Sequence, residues 1–259
     1  MEEKMLLHTN LKASEVGKYA FLPGSPQRVE RIAKYLDNPS FLKVNREMET
    51  WIGYLEGEKV MVTSTGMGGP STAITVEELT ELGCDTYIRV GSCATVSEKC
   101  GRGDVVIPLA CVRMEGTALH YGPVEYPAVA DIEVFDALRA SANKLQYPTA
   151  IGTVITRDGF YSQYDEFDKP SAYYIKPQWE AYKKLGAIAT EMEAATLYVA
   201  SASLGVRAGS VMVCATDYKK VNKTYPMDYE ARAIEVAVEA MRQLIIADKN
   251  DSSNIKVGK

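Results

Sequence analysis

The sequence predicts an α/β/α sandwich on a central mixed sheet, and three observations carry that prediction. Apolar runs of strand length alternate with helix-period segments along the whole 259-residue chain. Two of those runs lead through glycine turns straight into helices: Tyr19 to Leu22 through P-G-S-P, and Val60 to Ser64 through T-G-M-G-G-P. Nothing resembles a linker or an internal repeat before the polar stretch Asp248 to Lys259, so a single domain over residues 1–259 is expected, with 248–259 as a frayed tail.

Taken in order, the first strand is followed by a helix from Gln27 to Leu36, and two extended runs then flank the V-N-R-E turn that carries Arg46. The strand ending at Ser64 feeds a helix from Ser71 to Leu82. Further strands are expected at Thr86 to Val90, Asp104 to Pro108, Cys111 to Glu115, Ala150 to Thr156 and Ala208 to Cys214. Helices are expected at Ile132 to Leu145, Met192 to Leu204 and Asp228 to Ala247. Spacing supports them: Ile132, Phe135, Leu138 and Leu145 share one face, as do Ala233, Val236, Ala237, Ala240, Met241 and Leu244.

Composition narrows the function. A net charge of -5 argues against nucleic-acid and anionic-membrane partners, which need concentrated basic surface, and favours a small-molecule substrate. The start, M-E-E-K-M-L-L-H, lacks the apolar core of a signal peptide, and no stretch reaches the roughly 18 apolar residues of a membrane span, so a cytoplasmic location is expected. Five cysteines without a C-x-x-C pair argue against a disulfide framework or a zinc site, and most of them read as small core residues. With only His8 and His120 in the chain, a Ser-His-Asp or Cys-His machine has few parts to draw on, and His120 reads as an ordinary structural residue.

In open α/β sheets ligands sit beyond the carboxyl ends of strands. Three arginines fall there: Arg28 after L-P-G-S-P-Q, Arg46 in V-N-R-E, and Arg89 within I-R-V-G-S, just ahead of Gly91 and Ser92. Glycine lets backbone N–H groups approach an oxyanion, arginine presents a planar donor fork and serine adds a hydroxyl, which together describe a phosphate site. Arg89 is the most telling, because an unpaired guanidinium inside the run Y-I-R-V-G would be costly without an anion. The stretch T-E-M-E-A-A-T-L-Y places Glu191, Met192 and Glu193 together. Two carboxylates can accept from adjacent sugar hydroxyls while a methionine covers the ring, although acids at a helix start also serve the helix dipole.

These motifs, F-L-P-G-S-P-Q-R, S-T-G-M-G-G-P-S, I-R-V-G-S, M-E-G-T-A-L-H-Y-G-P-V-E-Y-P-A-V-A-D and E-M-E-A-A-T-L-Y, resemble in unbroken order those of the hexameric nucleoside phosphorylase family, nearest to its uridine phosphorylase branch. The resemblance implies an α/β sandwich assembled as a homo-hexamer, a trimer of dimers. The implied enzyme is a pentosyltransferase that cleaves the N-glycosidic bond of a nucleoside with inorganic phosphate as co-substrate and no other cofactor. It further implies phosphate binding by Gly24, Arg28, Arg89 and Ser92, with Arg46 lent by the neighbouring subunit. His8 would reach across the dimer to the ribose 5′-hydroxyl, Met192 and Glu193 would hold ribose with Glu191 beside them, and Phe160 would wall the base. Glu47, Met67 and Ser71 match positions that hold a monovalent cation, K+, at the dimer interface in some members. Arg89, Glu193 and Asp217 would carry catalysis.

Two departures touch the base pocket. Gln163 matches the uracil-binding glutamine, but the arginine expected near it has no counterpart in G-F-Y-S-Q-Y-D-E-F-D-K, where Asp165, Glu166 and Asp168 crowd the place and Lys169 is the nearest cation. Asp217, after the strand, stands where purine-cleaving relatives carry a general acid, and equally where an aspartate would end a strand or cap a turn. Uridine and a purine or broadened specificity are therefore both carried forward. A nucleoside hydrolase, a non-catalytic nucleoside-binding protein and a dinucleotide oxidoreductase are the other classes considered. The first does not explain the arginines, the second does not explain an intact ribose and phosphate set, and the third lacks G-x-G-x-x-G.

Overall fold

Gly205 turns the chain between a buried helix and the strand that returns beneath it. Its φ of 72° is a left-handed conformation that costs a residue without Cβ nothing, and its N–H closes the last helical turn. Similar local chemistry sets the other boundaries. The computed structural model describes residues 3–163, 168–216 and 229–257; of these, the side chains of residue 163 and residues 252–257 are left aside. The strands are β1 (Tyr19–Pro23), β2 (Asp37–Asn45), β3 (Met48–Leu55), β4 (Glu58–Thr63), β5 (Thr86–Thr95), β6 (Val105–Met114), β7 (Ala128–Val129), β8 (Thr149–Arg157), β9 (Ala189–Glu191) and β10 (Arg207–Cys214). The helices are α1 (Pro26–Ala33), α2 (Gly69–Glu81), α3 (Ile132–Leu145), α4 (Ala172–Lys184), α5 (Ala194–Leu204) and α6 (Glu230–Val257).

The strands form one mixed sheet with β5 at its centre, where it pairs in parallel with β1 and β10. Side chains alternate across it as a two-sided sheet requires. Tyr19, Phe21, Val60, Val62, Ile88 and Val90 pack with α1, α3 and α6, whereas Ala20, Leu22, Met61 and Tyr87 pack with α2 and α5. The three-layer α/β/α class read from the sequence is the architecture found. The predicted stripe of α6, Ala233 through Leu244, is buried, and Asp131 caps α3 by accepting from the N–H groups of Glu133 and Val134 at 3.0 and 3.1 Å. All five cysteines are buried, where the sequence reading placed most of them. No helix among the described residues is long and apolar enough to cross a membrane.

Several elements differ from expectation. The two strands predicted around Pro108 are one strand, β6, with an irregular register between Pro108 and Ala110 that absorbs the missing N–H. Helix α5 starts at Ala194, so Met192 and Glu193 precede it. Helix α6 continues past Ala247 to Val257, and Asp248 is held by Arg207 and by Tyr19 Oη at 2.8 Å. The largest consequence for function comes from β5. It runs past Val90 to Thr95, where Ala94 and Thr95 pair with Thr190 and Ala189 of β9. That extension brings the Glu191–Glu193 segment over the carboxyl end of β5.

Candidate active site

A cleft of about 710 Å³ opens beyond the carboxyl ends of β1, β4, β5, β8 and β9. Its floor is the Gly24 turn. A Cβ there would lie 3.2 Å from Gly66 O and 3.7 Å from Arg89 Nη1, so glycine lets the β1 turn approach both the neighbouring turn and the guanidinium. Arg28, on the first turn of α1, donates from Nη1 to Val90 O at 3.0 Å and from Nε to Glu230, the first residue of α6. Glu230 also binds Arg31, so one buried carboxylate fixes two guanidiniums. Burial pushes the pKa of Arg28 below its usual range, with Glu230 opposing the shift.

Arg89 is 4% exposed and folds back over Gly91, where an added Cβ would stand 3.0 Å from its Nη2. Nη2 donates to Glu193, and Nε lies 3.3 Å from Glu191 Oε2, an ion-pair contact without hydrogen-bond geometry. Nη1, the nitrogen nearest Gly24, has no hydrogen-bond partner among the described residues. Burial works against the charge of Arg89, but Glu193 and Glu191 outweigh it and its pKa is raised. A buried donor beside a glycine turn, with Ser92 also lining the cleft, has the chemistry to hold an oxyanion.

The two glutamates divide their labour. Both oxygens of Glu191 are engaged inside the protein: Oε1 accepts from Thr156 Oγ1, and Oε2 accepts from the N–H groups of Glu193 and Ala194 at 2.8 and 2.9 Å. Glu191 therefore shapes the entry to α5 and also lines the cleft beside Met192 and Glu193. Glu193 accepts from Gly68 N–H at 2.6 Å and pairs with Arg89, and it lines the cleft with Met192. Its pKa is raised, first by burial, with Arg89 acting in the opposite direction.

Phe160 forms the far wall, edge-on to Tyr161 with ring centroids 5.3 Å apart. Gln163 closes the short 3-10 turn that Phe160 begins. Asp168 and Lys169 are exposed, whereas Asp165, Glu166 and Asp217 lie outside the described residues. His8 and Arg46 do not line this cleft. His8 Nδ1 is 2.7 Å from Glu78 Oε1, and Arg46 sits exposed in the β2–β3 turn with a φ of 54°. Glu47, Met67 and Ser71 line the cleft's edge, where Ser71 Oγ donates to Met67 O at 3.1 Å. His120 is exposed. Sequence reasoning missed Glu230, which carries no local signal, and Arg157. The latter follows a predicted strand directly, the signal that had drawn attention to the other arginines.

Fold and cleft together define an α/β protein whose cleft carries paired buried arginines and glutamates beside a glycine turn. Residues 18–247 match the phosphorylase superfamily, and the chain belongs to that family. It is 37% identical over 253 residues to the uridine phosphorylase of Escherichia coli (strain K12), covering 95% of this chain and 100% of that relative. It is 40% identical over 245 residues to the uridine phosphorylase of Treponema pallidum (strain Nichols), covering 93% and 95%. To the guanosine phosphorylase of Halorubrum lacusprofundi it is 33% identical over 210 residues, covering 81% and 82%. The resemblance read from the motifs holds, and so does the enzyme class it implied.

Proposed function

We propose that this chain is a uridine phosphorylase, transferring the pentosyl group of a nucleoside from its base to inorganic phosphate. The observation that carries the reading is the placement of Arg89, whose Nη1, near the Gly24 turn, has no hydrogen-bond partner among the described residues and whose Nη2 binds Glu193. One guanidinium thereby links the anion pocket to the sugar-holding carboxylate. Phosphate held by Gly24, Arg28, Arg89 and Ser92 attacks C1′ while Glu193 accepts from the ribose hydroxyls and Met192 covers the ring. Positive charge growing on the sugar attracts the anion more strongly than the ground state does, which raises rate rather than mere affinity.

Similarity to several uridine phosphorylases supports a uracil base. A purine base is the second reading, favoured by Asp217 and by the guanosine phosphorylase relative. His8 and Arg46, both outside this chain's own cleft, support a homo-oligomer, proposed as a hexamer, in which each completes a neighbour's site. Glu47, the Met67 carbonyl and Ser71 Oγ are hard oxygen donors of the kind an alkali cation such as K+ accepts at that interface. The test is to incubate the purified protein with uridine, thymidine, inosine or adenosine, with and without phosphate, and to measure free base. Phosphate-dependent release, fastest from uridine, is expected. Activity confined to purines would overturn the base assignment, and release without phosphate would overturn phosphorolysis.

A further inference from the structure

We infer that Arg157 supplies the positive charge that stabilises the departing pyrimidine, a role the acidic loop after Phe160 cannot fill; the inference rests on the pyrimidine reading above. Arg157 ends β8, which runs antiparallel to β5, and it lines the same cleft as Gly24 and Arg89, beside Phe160, while only 2% exposed. Its guanidinium carbon stands 5.2 Å from the Phe160 ring centroid. Of the arginines lining the cleft, Arg28, Arg89 and Arg157, it is the one placed at the aromatic wall rather than at the Gly24 turn.

The side chain is held from two directions. Nε donates to Thr190 Oγ1 at 2.9 Å, Thr190 Oγ1 in turn donates to Ile155 O at 2.9 Å, and Nη1 donates to Gly159 O at 2.7 Å. These bonds orient the guanidinium plane before any substrate arrives. Because a guanidinium does not deprotonate at working pH, the site receives a fixed charge rather than a titrating one.

The chemistry calls for such a charge. As a phosphate oxygen bonds to C1′, the bond from C1′ to N1 breaks and its electron pair goes to the base, spreading onto the carbonyl oxygens. The base leaves as its anion and takes a proton from solvent. A cation fixed against the base plane interacts more strongly with that anion than with the neutral ground state, so it lowers the barrier. Pyrimidines whose anions are already stable need the cation less.

Arg157→Met removes the charge and keeps the stem, and Arg157→Lys keeps a charge without the fork. For each variant and the parent, kcat/KM is measured with uridine and with 5-fluorouridine, whose base is the better leaving group, alongside KM for phosphate and thermal melting. In Arg157→Met the uridine value is expected to fall by ~10²- to 10³-fold. The 5-fluorouridine value should fall by about tenfold less, as a Brønsted dependence on the leaving group requires. Phosphate KM should stay near that of the parent. Arg157→Lys should shift the ratio of the two substrates the same way by a smaller amount, and it decides the matter if the methionine variant does not fold. Equal losses for both substrates in an active, folded variant would overturn the role of Arg157. A parent enzyme without phosphate-dependent uridine cleavage would instead overturn the proposed function.

Discussion

On the proposed reading, replacing Glu193 by alanine removes a sugar contact together with one half of a buried charge pair. The carboxylate is 4% exposed, accepts from Gly68 N–H at 2.6 Å and pairs with Arg89. Removing one partner of a buried pair costs about 3–5 kcal/mol, and the lower end applies because Glu191 still faces Arg89 Nε at 3.3 Å. In a domain of this size each kcal/mol moves Tm by about 2–4 °C, so melting should fall by roughly 6–12 °C.

The transition state loses a charged hydrogen bond to a ribose hydroxyl, about 2–4 kcal/mol, which is a fall of about 30- to 1000-fold in kcat/KM. The assay compares uridine with 2′-deoxyuridine in the parent and in Glu193→Ala, with melting and assembly checked in parallel. The parent's preference between the two sugars should collapse in the variant, because the acceptor that distinguishes them is gone. Near-normal kcat/KM in folded, assembled Glu193→Ala would refute the assignment. An unchanged sugar preference would show that the carboxylate only holds Arg89.

Arg89→Met leaves Glu191 and Glu193 facing one another without their cation; turnover should be nearly abolished, and added phosphate should no longer raise Tm in a thermal-shift assay. Glu230→Gln removes the charge that fixes Arg28 and Arg31, and steady-state kinetics should show phosphate KM rising by about 3- to 10-fold with nucleoside KM little changed. Burial opposes the charge of Asp248, but hydrogen bonds from Arg207 and Tyr19 outweigh it and lower the pKa from 3.8. A depressed carboxylate contributes stability above its unfolded pKa and loses it as pH falls through the folded value. The Tm gap between the parent and Asp248→Asn should therefore be widest near neutrality and close below about pH 4. Gly209→Ala would place a Cβ 2.5 Å from Val134 Cγ1 between β10 and α3, and denaturant titration should show a loss of about 1–3 kcal/mol.

Much of the fold was legible because its signals are local. The α3 and α6 stripes, the glycine turns after β1 and β4, and the apolar runs each depend on residues a few positions apart, and each lies where the pattern put it. The failures have physical causes. Pro108 reads as a strand break, yet β6 accommodates it at a register irregularity. Helix α4 carries Pro177 in its interior and buries only Trp179, so neither propensity nor periodicity announces it. In the site, Arg89 was conspicuous as a charge inside an apolar run, and the structure gives it buried partners. Glu230 could not be found that way, since its partner Arg28 is 202 positions distant. Arg157 was not legible as a site residue because the resemblance places the base-binding arginine after Phe160, whereas this cation ends the strand before it.

On the proposed reading, the charge pairs in and behind the cleft explain how an oxyanion pocket can be built before an anion arrives. The guanidiniums of Arg28, Arg31 and Arg89 are matched by the carboxylates of Glu191, Glu193 and Glu230, so the cluster is neutral as a whole. Isolated buried arginines would demand an anion to remain folded, and paired ones do not. Pairing also fixes the rotamers, so on that reading a phosphate would meet oriented donors and lose little ordering entropy on binding. The same neutrality weakens the pull on a ground-state dianion. On the proposed reading, most of the attraction must then appear as C1′ becomes positive between the phosphate and Glu193, with the base charge met by Arg157. Interactions that grow along the reaction coordinate lower the barrier, whereas strong prior binding of phosphate would have raised affinity without raising rate.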